Sequence, residues 1–239
     1  MKMIDIVPMR NQYLADNQEM YMFLTHLALK SPKYLAHASN YKGYKILDNS
    51  LIENDGKALD IKKVLEVAQE INADELILPD VFLNGPATIR AVEDALKKVG
   101  VSGYKGKLMA VVHGVNEQDW FETYRILNTI EEIDVLGIPK VTAKIHPRGR
   151  VHFANRICEE SRKEIHLLGL WYSFTELLDY RHPGKIRSMD TCQLAYLVQN
   201  HLNIYATRPD RYTVDLDNDI ISSIAFNDYK KRRLQCLGV

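Results

Sequence analysis

The sequence is poor in cysteine and has no excess of charge of either sign. The 239 residues include only Cys158, Cys192 and Cys236, and no two of them have the short spacing of a zinc knuckle or a redox motif. This usage is typical of a protein from a reducing compartment. Lys plus Arg and Asp plus Glu both number 31, so a nucleic acid or membrane could be bound only by a local patch.

Long apolar runs are also missing. The start of the chain lacks the apolar core of a signal peptide, and no stretch approaches the roughly 18 apolar residues of a membrane span. We therefore expect a cytoplasmic protein without a membrane partner. No repeat, linker or low-complexity tract divides the sequence, which predicts a single domain over residues 1–239 with a C-terminal helix at about 217–237.

Short apolar runs alternate along the chain with helical patterns, as repeated βα units require. Eight segments are predicted as strands: 34–38, 44–48, 75–81, 107–114, 133–139, 165–171, 186–190 and, more weakly, 203–207. Seven segments between or before them are predicted as helices: 13–30, 60–72, 86–99, 117–130, 149–163, 174–181 and 191–201. Asp60 is expected to cap the helix that follows it.

The predicted fold is α/β, a single-domain (β/α)8 TIM-like barrel. Leu76–Leu78 and Leu108–Val112 are continuous apolar runs, as in parallel strands that are buried on both faces. The length of the chain is close to the roughly 250 residues of such barrels. An open doubly wound sheet is the alternative, because spacing alone does not show closure.

Polar residues follow four of the apolar strands. Asp48, Asp80, His113 and Asp190 each stand where the chain should leave the sheet. The loops after parallel strands converge on one face, so we expect these side chains to share one site. Taken singly, the aspartates could be turn or helix-capping residues and His113 a satisfied loop histidine.

These strand ends resemble the tRNA-guanine transglycosylase superfamily, which includes the queuine and archaeosine enzymes and the 7-deazaguanine DNA transglycosylases of phages and bacteria. Asp48–Ser50 stands in the place of that family's Asp-Ser-Gly-Gly segment, and Asp80 in the place of its base-recognising aspartate. Val112–Gly114 is similar to its Val-Gln-Gly segment and Leu168–Leu170 to its Gly-Leu-rich segment. Asp190 falls on its nucleophilic aspartate.

The sequence departs from that family in three ways. His113 replaces the glutamine, the double glycine after Asp48 is missing, and no cysteine-rich zinc module follows Asp190. The resemblance therefore implies a compact, metal-free enzyme of the phage type, with DNA a better substrate than tRNA. A smaller nucleoside substrate stays open, as does the oligomeric state.

The resemblance implies a pentosyltransferase that replaces guanine in a nucleic acid with a 7-deazaguanine. Asp190 would attack the sugar and Asp48 would move the proton. Asp80 would accept hydrogen bonds from the base, and no cofactor is expected. The other residues expected to bind the substrate are Asn49, Ser50, Phe82, His113, Gly114, Gly169, Leu170 and Trp171, with Tyr172 as a further stacking candidate.

Two basic clusters could hold phosphates. The first, at residues 146–150, offers Arg148 and Arg150, while the second, Lys230–Arg233, is interpreted as a solvated surface.

Two further functions compete with base exchange. A metal-dependent hydrolase or lyase would bind its ion through Asp48, Asp80, His113 and Asp190, although no compact ligand motif supports this. A barrel that binds a nucleobase without turnover would need no nucleophile.

Overall fold

The computed structural model describes residues 1–54, 56–170, 174–206 and 214–236. Eight parallel strands run through these ranges: β1 (Lys2–Asp5), β2 (Met20–Leu24), β3 (Tyr44–Asp48), β4 (Glu75–Ile77), β5 (Lys107–Val111), β6 (Val135–Pro139), β7 (Glu164–Leu168) and β8 (Ile186–Thr191). The strands lie in the order β1-β8-β7-β6-β5-β4-β3-β2. They form a nearly closed barrel, so the predicted (β/α)8 fold is confirmed.

Helices cover the outside of the barrel. They are α1 (Thr25–Lys30), α2 (Pro32–Asn40), α3 (Ile61–Ile71), α4 (Gly85–Ser102), α5 (Glu117–Thr129), α6 (Gly149–Glu160), α7 (Gln193–Gln199) and α8 (Ser223–Cys236). Short 3₁₀ segments lie at Met9–Leu14, Lys140–Lys144, Phe174–Asp179 and Pro183–Lys185. Among the described residues, no helix is long and apolar enough to cross a bilayer.

Side chains complete the barrel where β1 and β2 do not pair. Gln18 accepts a hydrogen bond from the Asp5 backbone N–H at 2.8 Å and donates one to the Asp5 carbonyl at 2.9 Å. The Tyr21 hydroxyl accepts a hydrogen bond from the Val7 N–H at 3.2 Å. These three backbone groups are thereby satisfied without a strand ladder.

A register shift between β7 and β8 directs the neighbouring side chains of Arg187 and Ser188 into the barrel. Ile165 pairs with Ile186 but His166 pairs with Ser188, so Arg187 is an extra residue in β8. Arg187 forms a bidentate ion pair with the buried Glu75, at 2.6 and 3.0 Å. Ser188 bonds to His166 instead, and the shift therefore sets the positions of the polar residues above it.

The N-terminal third of the chain differs from the expectation. Residues 34–38, predicted as a strand, lie in α2, where Pro32 occupies the first turn and Ser31 caps the helix. The predicted helix at 13–30 is an α-helix only over Thr25–Lys30 and contains β2, and β1 was not predicted. Met20–Leu24 is apolar throughout, and such a short run does not distinguish a buried strand from a buried helix.

The remaining differences are smaller. Residues 203–206 form no strand, while Thr207 lies outside the described residues. The segment predicted as a helix at 174–181 is 3₁₀ over Phe174–Asp179, and the C-terminal helix begins at Ser223 instead of 217. Asp60 caps α3 as predicted, accepting a hydrogen bond from the Lys62 N–H at 3.1 Å.

Candidate functional site

Asp190 lies at the C-terminal end of β8 and is held through one carboxylate oxygen. Its Oδ1 accepts hydrogen bonds from the Gly169 N–H at 3.1 Å and from His166 Nε2, also at 3.1 Å. Within the described residues, Oδ2 has no hydrogen-bond partner. Asp190 does not cap α7, whose N-cap is Cys192. The side chain is thus fixed in orientation with one oxygen free to react.

The β7 backbone bends to make this contact. Gly169 has a φ of +67°, a left-handed conformation that favours glycine. Its amide consequently points at Asp190, which supports the predicted place of Gly169 at the site. The side chain of Leu170 is fully buried in the core, so only its backbone could meet a ligand.

Asp48, at the end of β3, lies in a field of negative charge. Burial raises its pKa well above the usual range, and the charges of Glu53, Asp190 and Asp80 raise it further. A hydrogen bond from the Ser50 N–H at 2.7 Å only partly offsets this. Asp48 is therefore close enough to Glu53, Asp80 and Asp190 for their charges to act on it, and its raised pKa suits it to carry a proton.

Glu53 was not predicted as a site residue. Although solvent reaches its side chain, surrounding protein atoms raise its pKa; Asp190 raises it further and Lys140 lowers it. Lys140 follows β6 directly, and its aliphatic carbons border Gly169. Glu53 and Lys140 both follow strand ends in the sequence, but several other charged residues share that position. Their convergence is visible only in three dimensions.

Asp80 and His113 form a buried pair at the ends of β4 and β5. His113 Nε2 lies 2.6 Å from Asp80 Oδ2, and Asn49 donates to Asp80 Oδ1 at 2.7 Å. The Leu83 N–H donates to His113 Nδ1 at 3.3 Å, so the proton of the neutral ring is on Nε2. His113 is therefore a satisfied histidine that orients Asp80, and this argues against its predicted role as a donor to the base.

Several other residues that were predicted to contact the substrate also form contacts within the protein. Asn49 and Ser50 are buried, and Ser50 Oγ accepts a hydrogen bond from the His26 N–H at 3.1 Å. Gly114 is packed against the backbone of Trp120. These three residues shape the loops, which argues against the direct contacts predicted for them. Phe82 is 44% exposed and remains available for stacking. Trp171 and Tyr172 lie outside the described residues.

Each of the two basic clusters contains both a buried and an exposed arginine, which differs from the prediction. Arg150 is buried and paired with Glu176 at 2.5 Å, which argues against the phosphate role predicted for it. Arg148 is exposed beside an open cavity of about 610 Å³. Within the C-terminal cluster, Arg232 is exposed, but Arg233 is buried against Asp5, so the interpretation as a solvated surface is wrong for Arg233.

The quartet proposed as a metal site does not form one. Within the described ranges, a single group of three His, Cys, Asp or Glu residues places its ligand atoms within 4.8 Å of one another. That group is Glu117, His146 and His152, none of which was predicted as a metal ligand. The spacing of the two histidines is visible in the sequence, but Glu117 reaches them only through the fold.

Comparison with known proteins adds no assignment. No protein-family model matches the chain, and the search of curated proteins found no significant match.

Proposed function

We propose that the chain is a base-exchange glycosyltransferase, a pentosyltransferase that replaces guanine in a nucleic acid with a 7-deazaguanine. One observation carries the proposal: Asp190 is oriented through Oδ1 by His166 and Gly169, while its Oδ2 has no partner among the described residues. A carboxylate with one fixed and one available oxygen suits attack on an anomeric carbon.

In the proposed reaction, Asp190 forms a bond to C1′ of the nucleoside as the bond from C1′ to the base nitrogen breaks. The departing guanine takes a proton from Asp48, whose raised pKa suits it to carry one. The incoming base returns a proton to Asp48 and attacks C1′, which releases Asp190. Protons and electrons balance over the two halves, and no cofactor is consumed.

The proposed substrate is a purine base carried by DNA. DNA is preferred to tRNA because residues 191–239 contain only two cysteines, Cys192 and Cys236, too few for the cysteine-rich module. Asp80 keeps lone pairs beyond its bonds to Asn49 and His113, and they could accept the N1–H and amine of a purine. A base in a duplex would have to flip out, and the exposed Phe82 is the candidate that would stack on it. Arg148 is the remaining candidate for a phosphate contact.

Replacing Asp190 tests the nucleophile. Asp190→Asn keeps the size of the side chain but removes the charge that traps the sugar, so we expect exchange to fall by roughly three orders of magnitude or more. The measurement is incorporation of radiolabelled guanine into DNA and into tRNA, with denaturing gels to detect a covalent adduct.

Asp228→Asn is the matched control, because Asp228 is an exposed carboxylate on α8. It should exchange at the wild-type rate and form the same adduct. Unchanged exchange in Asp190→Asn would remove Asp190 from the mechanism. A wild-type protein that exchanges on neither polymer but binds guanine would support a binding barrel without turnover.

A further inference from the structure

Three side chains from two neighbouring βα units converge after the C-terminal ends of β5 and β6. Glu117 is the first residue of α5, His146 precedes α6, and His152 lies in the first turn of α6. His152 Nε2 lies 2.8 Å from Glu117 Oε1, and His146 Nε2 lies 4.0 Å from Glu117 Oε2. One ligand atom from each residue is within 4.8 Å of the other two.

The two imidazoles are stacked and face the same way. Their centroids are 3.9 Å apart and their planes differ by 9°.

Two imidazole nitrogens and one carboxylate oxygen are a ligand set that suits Zn²⁺ and similar ions. In a tetrahedral site with ligand bonds of about 2.1 Å, donor atoms lie about 3.4 Å apart, so donor atoms that are now up to 4.8 Å apart must approach by at most about 1.4 Å. All three side chains are partly exposed and can adjust. Three protein ligands leave a fourth position open. His146 also lines the open cavity of about 610 Å³.

Arg148 occupies the other side of both rings. Its backbone N–H donates to His146 Nδ1 at 3.1 Å, and its Nη2 lies 3.1 Å from His152 Nδ1. A metal on Nε2 requires a proton on Nδ1, so both donors must move away when the metal binds. The Arg148 side chain is exposed and can swing out, whereas His146 must turn its ring.

We propose that Glu117, His146 and His152 bind a divalent transition-metal ion of the Zn²⁺ class, in competition with Arg148 and with one coordination position open to solvent. This site shares no residue with the group formed by Asp48, Asp80 and Asp190. It does not depend on the proposed base exchange.

Metal titration of the full chain tests the site. After chelator treatment and dialysis, calorimetry with Zn²⁺ and absorption spectroscopy with Co²⁺ should show one equivalent bound through nitrogen and oxygen ligands, without a thiolate charge-transfer band from a cysteine. Glu117→Gln, His146→Asn and His152→Asn should each weaken binding by at least about 10-fold. Arg148→Ala should strengthen it, because the competing donor to His152 is lost.

His182→Asn is the matched control, since His182 forms an exposed pair with Glu159 outside the cluster. It should bind the metal like the wild type. Circular dichroism of each variant verifies folding. The proposal fails if a folded wild type binds no Zn²⁺ or Co²⁺ at millimolar concentration, or if binding is unchanged in the three ligand variants.

Discussion

At the scale of single residues, the polar strand ends divide into two kinds. Asp80 and His113 satisfy each other inside the protein, with Asn49 as a third partner. Asp48 and Asp190 are less completely satisfied and lie in one electrostatic field. Unsatisfied, mutually repelling carboxyls lower stability, and such groups are concentrated at functional sites. The second pair is therefore the better candidate for chemistry.

The raised pKa of Asp48 predicts that this residue destabilises the protein at neutral pH. Between the ordinary aspartate pKa and the raised one, the folded state binds more protons than the unfolded state, so stability falls as pH rises through this window. Asp48→Asn should therefore raise the free energy of unfolding at pH 7 by on the order of 1 kcal/mol. The gain should vanish below about pH 4. Urea unfolding between pH 4 and pH 8 measures it.

Asp94→Asn is the control for that comparison. Asp94 is exposed, and a hydrogen bond from Lys97 lowers its pKa, so its replacement should bring no gain. A less stable Asp48→Asn protein at pH 8 would contradict the proposed electrostatic strain. The same variant should lose base exchange, because the proton carrier is gone.

At the scale of elements, the junction between β5 and α5 fixes the position of His113. Asn116 caps α5 by accepting a hydrogen bond from the Asp119 N–H at 2.9 Å, and Asp119 accepts one from the Val115 N–H at 2.9 Å. Gly114 lets this turn pack tightly, because a Cβ there would lie 2.4 Å from the Trp120 backbone nitrogen. The glycine serves packing, although its sequence context suggested ligand contact.

A substitution at Gly114 should accordingly reduce stability. Gly114→Ala forces the backbone of α5 to shift and should cost about 1–3 kcal/mol of unfolding free energy. Gly100→Ala is the matched control in an exposed part of α4, where a Cβ would meet nothing within 4 Å. That variant should gain about 0.5–1 kcal/mol from helix propensity. Equal stabilities of the two variants in urea would refute the packing argument.

At the scale of the whole molecule, the C-terminal helix is tied to the first strand. Arg233, near the end of α8, forms a bidentate and fully buried ion pair with Asp5 of β1, with Nη2 2.8 Å from Oδ2. Phe226 is buried on the same helix. The two termini of the chain thus stabilise each other beside the gap between β1 and β2.

Breaking this ion pair should destabilise the entire barrel. Arg233→Met leaves the Asp5 carboxylate buried without its partner and should cost on the order of 3–5 kcal/mol. Arg232→Met is the control, because Arg232 is exposed and pairs only with Asp228 on the same helix. Denaturant unfolding compares the two. If both variants unfold at the wild-type urea concentration, α8 does not support the barrel.

The sequence by itself determined the fold class and most strand ends. From residue 44 onward, continuous apolar runs and capped amphipathic helices gave six strands in place, because these signals are local. They also indicated that Asp48, Asp80, His113 and Asp190 stand near strand ends. β2 escaped prediction because a short buried strand and a buried helix have the same apolar composition, and β1 escaped because its four residues include only two apolar ones.

Only the tertiary structure decided what the marked residues can do. Whether a carboxyl is hydrogen-bonded, as Asp80 is by His113, or repelled, as Asp48 is by Glu53, depends on neighbours from other parts of the chain. The same holds for Glu117, which meets His146 and His152 across two loops, and for Arg233, which meets Asp5 at a separation of 228 residues. Electrostatic energies depend on distance and burial, and neither can be read from the order of residues.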